Sequence, residues 1–421
     1  MTDLHRLTAT EAARRIASGQ FGATALLESC LDRIAQRGPA VRAFAHCDPD
    51  QVRRQRCRPG ALHGIPVGVK DVLDTFDQPS QYGSPIWAGH QPRADAAAVA
   101  WTRAAGGLVI GKTVTTEFAT RKPGATANPA GLAHTPGGSS SGSAAGVADF
   151  QFPVAFGTQT AGSIIRPAAY CGVVGYKPSF GLIPRLGMKV MSESLDTIGT
   201  IARSVADCAL LAGVAGGVDL GDPDRKPARA PRIGICRSPS WSGAAAETQA
   251  LFERIAGPLS RAGAIVVGRE LPTAFEALAD AHPIVMHGES ARAMGWELAS
   301  ARAGISEGLA EKLDWGLAQG AAALFAAQAV FRQTQNGFAD VLGDLDILVT
   351  PSAQGAAPLG LEWTGDPAFN YIWTALHAPC ITVPHGAAAN GMPLGVQIVG
   401  RRADDRATLA WAQWVAAALD G

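Results

Sequence analysis

The chain has 421 residues, 47% of them hydrophobic and only 17% charged, which excludes a disordered or tail-bearing protein and allows a large buried core. Its 36 basic and 36 acidic residues cancel, so no long-range field would gather nucleic acid or an anionic membrane. Seven scattered cysteines without a C-x-x-C pair, an N-terminus lacking the apolar core of a signal peptide, and no uncharged apolar run of about 18 residues lead to the expectation of a soluble, cytoplasmic protein.

In chain order, Thr10 is expected to cap a short amphipathic helix over residues 11–18, which Gly19 ends. Thr24 opens a second helix over residues 25–35 with Leu27, Leu31 and Ile34 on one face, and residues 1–60 read as an N-terminal helical flank. From Leu62 onward, apolar runs at residues 65–69 and 108–110 alternate with helical segments such as 95–105. That texture predicts an α/β fold, a large mixed β-sheet covered by helices on both faces. Residues 136–187 are so dense in Ser, Thr and Gly that a core helix or strand is not expected there; exposed backbone is. Residues 219–231 read as a surface linker, followed by a strand at 232–236, an Ala-rich helical region to about Val341, and strands at 345–350 and 392–400. No internal repeat is present, and one domain over residues 1–421 is expected.

Three segments place polar groups where apolar ones would pack better: GIPVGVKD at 64–71, PGGSSSGSAAG at 136–146 and GTQTAGSIIRPAAYCGVVGYKPSFG at 157–181. Lys70 ends an apolar run, so its ammonium either snorkels past a strand end or lies buried beside hydroxyls with a lowered pKa. A serine hydroxyl needs a base and donors for the oxyanion that forms on attack. The small residues Thr160, Ala161, Gly162 and Ser163 would let consecutive N–H groups turn toward one point beside the Ser163 hydroxyl. A tight Gly-rich turn or a phosphate cradle is the plainer alternative, but neither a Walker loop nor Gly-x-Gly-x-x-Gly is present. His282 and His287 are five apart, out of register for a helical zinc pair, and read as ordinary surface or packing side chains. Ser140 is central in a Gly-x-Ser-x-Gly match that could pair with His377 or His385, though this leaves Lys70 and the Ser163 segment unexplained. Cys171 in apolar surroundings reads as an inert thiol, and Asp196 as a structural hydrogen-bonding group.

These residues resemble the amidase signature hydrolases, and the resemblance runs from GIPVGVKD through CGVVGYKPSFG to the final PLGVQIVG. It implies Lys70, Ser139 and Ser163 as the catalytic set, a cis peptide between Gly138 and Ser139, and residues 160–163 as the oxyanion hole. It also implies amide hydrolysis through an acyl-enzyme on Ser163, with no metal or organic cofactor, a small-molecule amide as partner and room for a homodimer, while the balanced charge and the lack of a long apolar run lead to the expectation of no nucleic acid and no membrane as partners. Gln159 stands where the pattern has Asp, Ala161 where it has Gly, and Ile165 displaces the usual arginine to Arg166. That displacement, with SLDTIG, GDPAFNYIW and APCITVP, is similar to the malonamidase branch. There the arginine binds the substrate's carboxylate, which makes Arg166 a candidate anchor; the alternative is a structural arginine bonding backbone carbonyls. Met286 replaces the branch's glutamine after HPIV. A small carboxylated or aryl amide is the expected substrate. A carbamate or ester hydrolase of the same fold, the amidase subunit of a tRNA-dependent amidotransferase, and an inactive scaffold are the rivals.

Overall fold

The computed structural model describes residues 3–420. Its strands are β1 (Phe44–His46), β2 (Pro66–Lys70), β3 (Leu108–Thr113), β4 (Val154–Gln159), β5 (Val174–Lys177), β6 (Thr197–Ala202), β7 (Arg232–Ile235), β8 (Ile265–Gly268), β9 (Ile347–Pro351), β10 (Cys380–Ala387) and β11 (Pro393–Val399). They form one mixed 11-stranded sheet in the order β1-β3-β2-β4-β6-β5-β10-β11-β9-β7-β8. Two parallel groups, β3-β2-β4 and β9-β7-β8, are joined through antiparallel pairs.

Every residue of β2, β3, β4, β5, β6 and β9 is buried, as expected for strands covered on both faces. Successive side chains of a strand point to opposite faces. On β5, Gly175 lies against Ala168 of the helix Ile165–Cys171, while the Tyr176 hydroxyl reaches across the other face to Asp405, 2.6 Å away at the start of the helix Asp405–Asp420. The expected layered α/β architecture is therefore present.

Several local expectations need correction. The first helix is Ala9–Ala17 and its cap is Thr8, whose hydroxyl accepts the Glu11 N–H at 3.2 Å in the spacing of a capping box. Thr10 instead sits inside the helix, where its N–H and hydroxyl both donate to Asp207 at 2.8 Å. The second helix runs over Ala23–Val41, because burial of Leu26, Leu27, Cys30, Leu31 and Val41 holds it together past residue 35. Residues 1–60 are not only a helical flank: β1 within them forms one edge of the sheet against β3. The Ala-rich region before Val341 likewise contains β8, the opposite edge, short and largely exposed. Residues 219–231 carry no helix or strand.

The main correction concerns residues 136–187, which do contain core elements. Ser141–Ala148 is a helix whose first seven residues are buried, and every residue of Ile165–Cys171 is buried. Small residues serve close approach there: a Cβ on Gly146 would lie 2.2 Å from the Phe152 ring. The density of Gly and Ser reflects helices pressed onto a sheet as well as exposed turns.

Candidate active site

Parallel pairing sets the site. β2 and β4 are neighbours with Val67 opposite Val154 and Gly68 opposite Ala155, so their carboxyl ends bring Lys70 beside Thr158. Such ends are where open α/β sheets place their ligands. Lys70 is fully buried rather than snorkelling. Its Nζ donates to Ser139 Oγ at 2.7 Å and Thr158 Oγ1 at 2.7 Å, and lies 3.4 Å from the Thr158 carbonyl. Burial pushes the amine well below the usual lysine range, with the Asp196 carboxylate opposing. Asp196 is itself pushed upward by burial, against the bonds it accepts.

Ser139 follows a cis peptide from Gly138, in agreement with the family resemblance. Ser163 is 9% exposed and lines a cavity of about 560 Å³ together with Thr160, Ala161, Gly162 and Arg166. Its carbonyl accepts the Ser140 N–H at 3.3 Å, which ties the two serine segments together. Among the described residues the Ser163 hydroxyl makes no hydrogen bond, so the link from Ser139 to Ser163 is open in this state. Catalytic hydrogen bonds commonly tighten only when substrate is bound.

The turn 160–163 has four backbone N–H groups without an acceptor among the described residues. Gly162 is required for steric reasons: a Cβ there would lie 2.4 Å from Asn370 Oδ1 and 2.8 Å from Arg166 Nη1. Ala161 does not have a positive φ, so its methyl is accepted without backbone strain. Gln159 braces the far side of the turn. Its Oε1 accepts the N–H groups of Ile164 and Ile165 at 2.8 and 3.0 Å, and its Nε2 donates to Thr374 Oγ1 at 3.0 Å. Asp196 accepts the Thr160 hydroxyl at 2.6 Å and the N–H groups of Met191 and Ser192. It is a hydrogen-bonding post for the turn.

Arg166 is buried in the cavity wall. Its Nε donates to the Thr364 carbonyl and its Nη2 to the Gly138 carbonyl, each at 2.8 Å, while Nη1 has no partner among the described residues. Burial lowers its pKa to about 10, with Tyr170 and Asp366 opposing. Met286, half-buried, lines the same cavity, as do Met191, Leu309 and Trp363 and the charged Lys122, Lys312 and Glu362.

The rival constellations do not assemble. Ser140 is buried and exchanges side-chain hydrogen bonds only with the Thr158 backbone, and His377 stacks on Phe180 at 4.1 Å with its Nε2 donating to the Ser194 carbonyl. The Cys171 thiol is buried and pushed far up, as an inert thiol should be. No group of His, Cys, Asp and Glu among the described residues could hold a metal ion. The sequence does not single out Thr158 or Thr374, and it leaves His282 as a packing side chain. Thr158 is within reach of sequence reasoning, since it falls on the strand beside Lys70; the other two come from segments more than 100 residues away from the turn they touch.

The Amidase family model matches residues 25–409. The chain is similar to the A subunit of the glutamyl-tRNA(Gln) amidotransferase of Chloroflexus aggregans, at 33% identity over 97% of this chain and 96% of that protein. It is also similar to the peptide amidase of Stenotrophomonas maltophilia, at 30% identity and a TM-score of 0.83 over 99% of this chain and 97% of that one. A crystal structure described as an amidase superposes with a TM-score of 0.87 at 29% identity, covering 98% of this chain and 100% of that one. These similarities span the family and do not single out the malonamidase branch. The chain belongs to the amidase family, enzymes that hydrolyse amide carbon–nitrogen bonds.

Proposed function

We propose that this protein is an amidohydrolase of small linear amides that works through a Lys70–Ser139–Ser163 relay. The observation that carries this reading is the 2.7 Å contact between Ser139 Oγ and a fully buried Lys70 amine whose proton affinity is depressed. Neutral Lys70 takes the Ser139 proton as Ser139 takes that of Ser163, whose Oγ adds to the amide carbonyl. The N–H groups of residues 160–163 hold the oxyanion while the proton returns along the relay to the leaving nitrogen. Ammonia or an amine departs, and a water activated along the same path cleaves the acyl-enzyme.

For the acyl group, Met191, Met286, Leu309 and Trp363 supply apolar lining suited to an aryl or short aliphatic chain. Arg166 already satisfies two carbonyls, and Nη1 is the donor it offers to a substrate oxygen. A second reading, an amidase component working with a partner protein, is favoured by the similarity to amidotransferase A subunits.

The test is turnover by the purified chain alone on a panel of carboxylated amides, aryl amides, carbamates and esters, with Ser163→Ala and Ser139→Ala beside the wild type. Amide turnover that both variants lose, with unchanged thermal unfolding, supports the relay. Full activity in either folded variant refutes it, and activity only on adding a partner selects the second reading.

A further inference from the structure

We propose that His282 and Thr374 are positioning residues that hold the turn 160–163 so that three consecutive amide N–H groups face one side of it. This rests on the reading of Ser163 as nucleophile.

The argument lies in the peptide planes. In a trans peptide the C=O and the following N–H point in opposite directions, and the one cis peptide among the described residues is Gly138–Ser139. The Thr160 carbonyl accepts from His282 Nε2 at 3.0 Å, the Ala161 carbonyl from Thr374 Oγ1 at 2.8 Å, and the Gly162 carbonyl from the Arg166 N–H at 3.0 Å. Each bond draws a carbonyl away, so the N–H groups of Ala161, Gly162 and Ser163 are turned the opposite way. Buried donors left unpaired are costly. Because these residues line the cavity, a substrate oxygen becoming negative is the acceptor they suit.

The third carbonyl is held by its own helix, but the first two depend on side chains from remote elements. A carbonyl can only accept, so His282 carries a proton on Nε2, and burial, which lowers its pKa to about 4, favours the neutral ring. Tyr371 flanks that ring at 5.5 Å. Further along the same helix, Leu278–Ala293, the Glu289 carboxylate accepts from Ser192, Ser194 and Gln328 and anchors the helix to the segment that Asp196 also holds. The Thr374 hydroxyl accepts from Gln159 Nε2, and of the two carbonyls within its reach, Ala161 at 2.8 Å is closer than Asn370 at 3.3 Å and takes the proton in the better geometry. Donors fixed before reaction need no reorganisation as charge develops.

The experiment uses the full chain, a small-acyl 4-nitroanilide that the wild type turns over, and the aldehyde of the same acyl group, which forms a tetrahedral adduct. His282→Phe keeps the ring and loses the donor. It should lower kcat about 10- to 100-fold and weaken aldehyde inhibition by a similar factor, with KM nearly unchanged. His282→Gln, whose Nε2 can reach the same carbonyl, should restore most of the loss without altering the shape of the pH–rate profile. Thr374→Val and Thr374→Ser form the parallel pair, and they carry the test if His282→Phe does not fold. Wild-type kcat and aldehyde affinity in the Phe and Val variants would overturn the inference, as would folded Gln and Ser variants no better than Phe and Val. Undiminished turnover in Ser163→Ala would instead overturn the reading beneath it.

Discussion

Replacing Lys70 by Met keeps a long unbranched side chain and removes the titrating amine, which makes it the most informative single change. In the folded protein the amine is fully buried and its pKa is depressed, whereas in the unfolded chain it titrates near about 10.4. Between those two values the unfolded state binds more protons, so folding gains stability as pH rises, by at most about 1.4 kcal/mol per pH unit for one proton. Below the folded-state value the penalty is complete, and above the unfolded value it is gone. Shifted buried groups that do not interact with Lys70, such as Lys112, Lys177 and Asp71, are present in both proteins and cancel in the difference, which leaves the Lys70 amine and the Asp196 carboxylate coupled to it. Lys70→Met should therefore be most favoured relative to wild type at low pH, with its relative advantage shrinking toward pH 9 within that slope. Its kcat should fall by roughly 10²- to 10⁴-fold, the usual range for a lost general base. Urea unfolding at pH 6, 7, 8 and 9, with kcat measured alongside, tests both. Parallel stability curves would show that Lys70 is not a depressed buried amine, and retained kcat would show that it is not the base. In wild type the acid limb of the pH–rate profile should lie below the ordinary lysine range, since the neutral amine is the working form; with chemistry rate-limiting, an acid limb that stays in the ordinary lysine range counts against Lys70 as the base.

Arg166→Ala strips the Gly138 and Thr364 carbonyls of their donor, at about 1–3 kcal/mol for each buried group left unpaired. Thermal unfolding should show a destabilised protein, and kcat/KM should fall on charged and neutral amides together; loss confined to carboxylated amides would make Arg166 a substrate anchor first. Met286→Gln adds a polar group to the apolar lining and should raise kcat/KM for carboxylated amides relative to aryl amides. An unchanged ratio between the two would remove residue 286 from substrate selection.

Much of the site is legible in the sequence because its chemistry demands improbable residues in short runs. A lysine closing an apolar strand, and serines among glycines, cost packing unless they serve something else, so those segments stand out; the resemblance to the amidase signature hydrolases is what implies Lys70, Ser139 and Ser163 within them, and the first two do meet. The departures at Gln159 and Ala161 are visible in the sequence but carry no interpretation there. Only the structure shows that Gln159 accepts the two N–H groups at the start of the helix Ile165–Cys171, and that Ala161 needs no left-handed backbone. The small-residue stretch 136–187 reads as exposed backbone because composition does not distinguish a turn from a helix pressed against a sheet. Its buried helices appear only once Phe152 is seen filling the space at Gly146.

The alternation of apolar runs with helical segments is enough to determine a layered α/β architecture, since strand and helix periods are local properties of the chain. Tertiary structure decides the rest. The two edge strands show this: β1 is only Phe-Ala-His, and the Ile-Val-Val run of β8 is short, largely exposed and set among helical segments, so what makes each of them a strand is the partner it pairs with. The braces of the turn 160–163 are of the same kind. His282 and Thr374 lie more than 120 and more than 210 residues from the carbonyls they hold, and no pattern within either segment records a hydrogen bond whose other end is supplied by the fold.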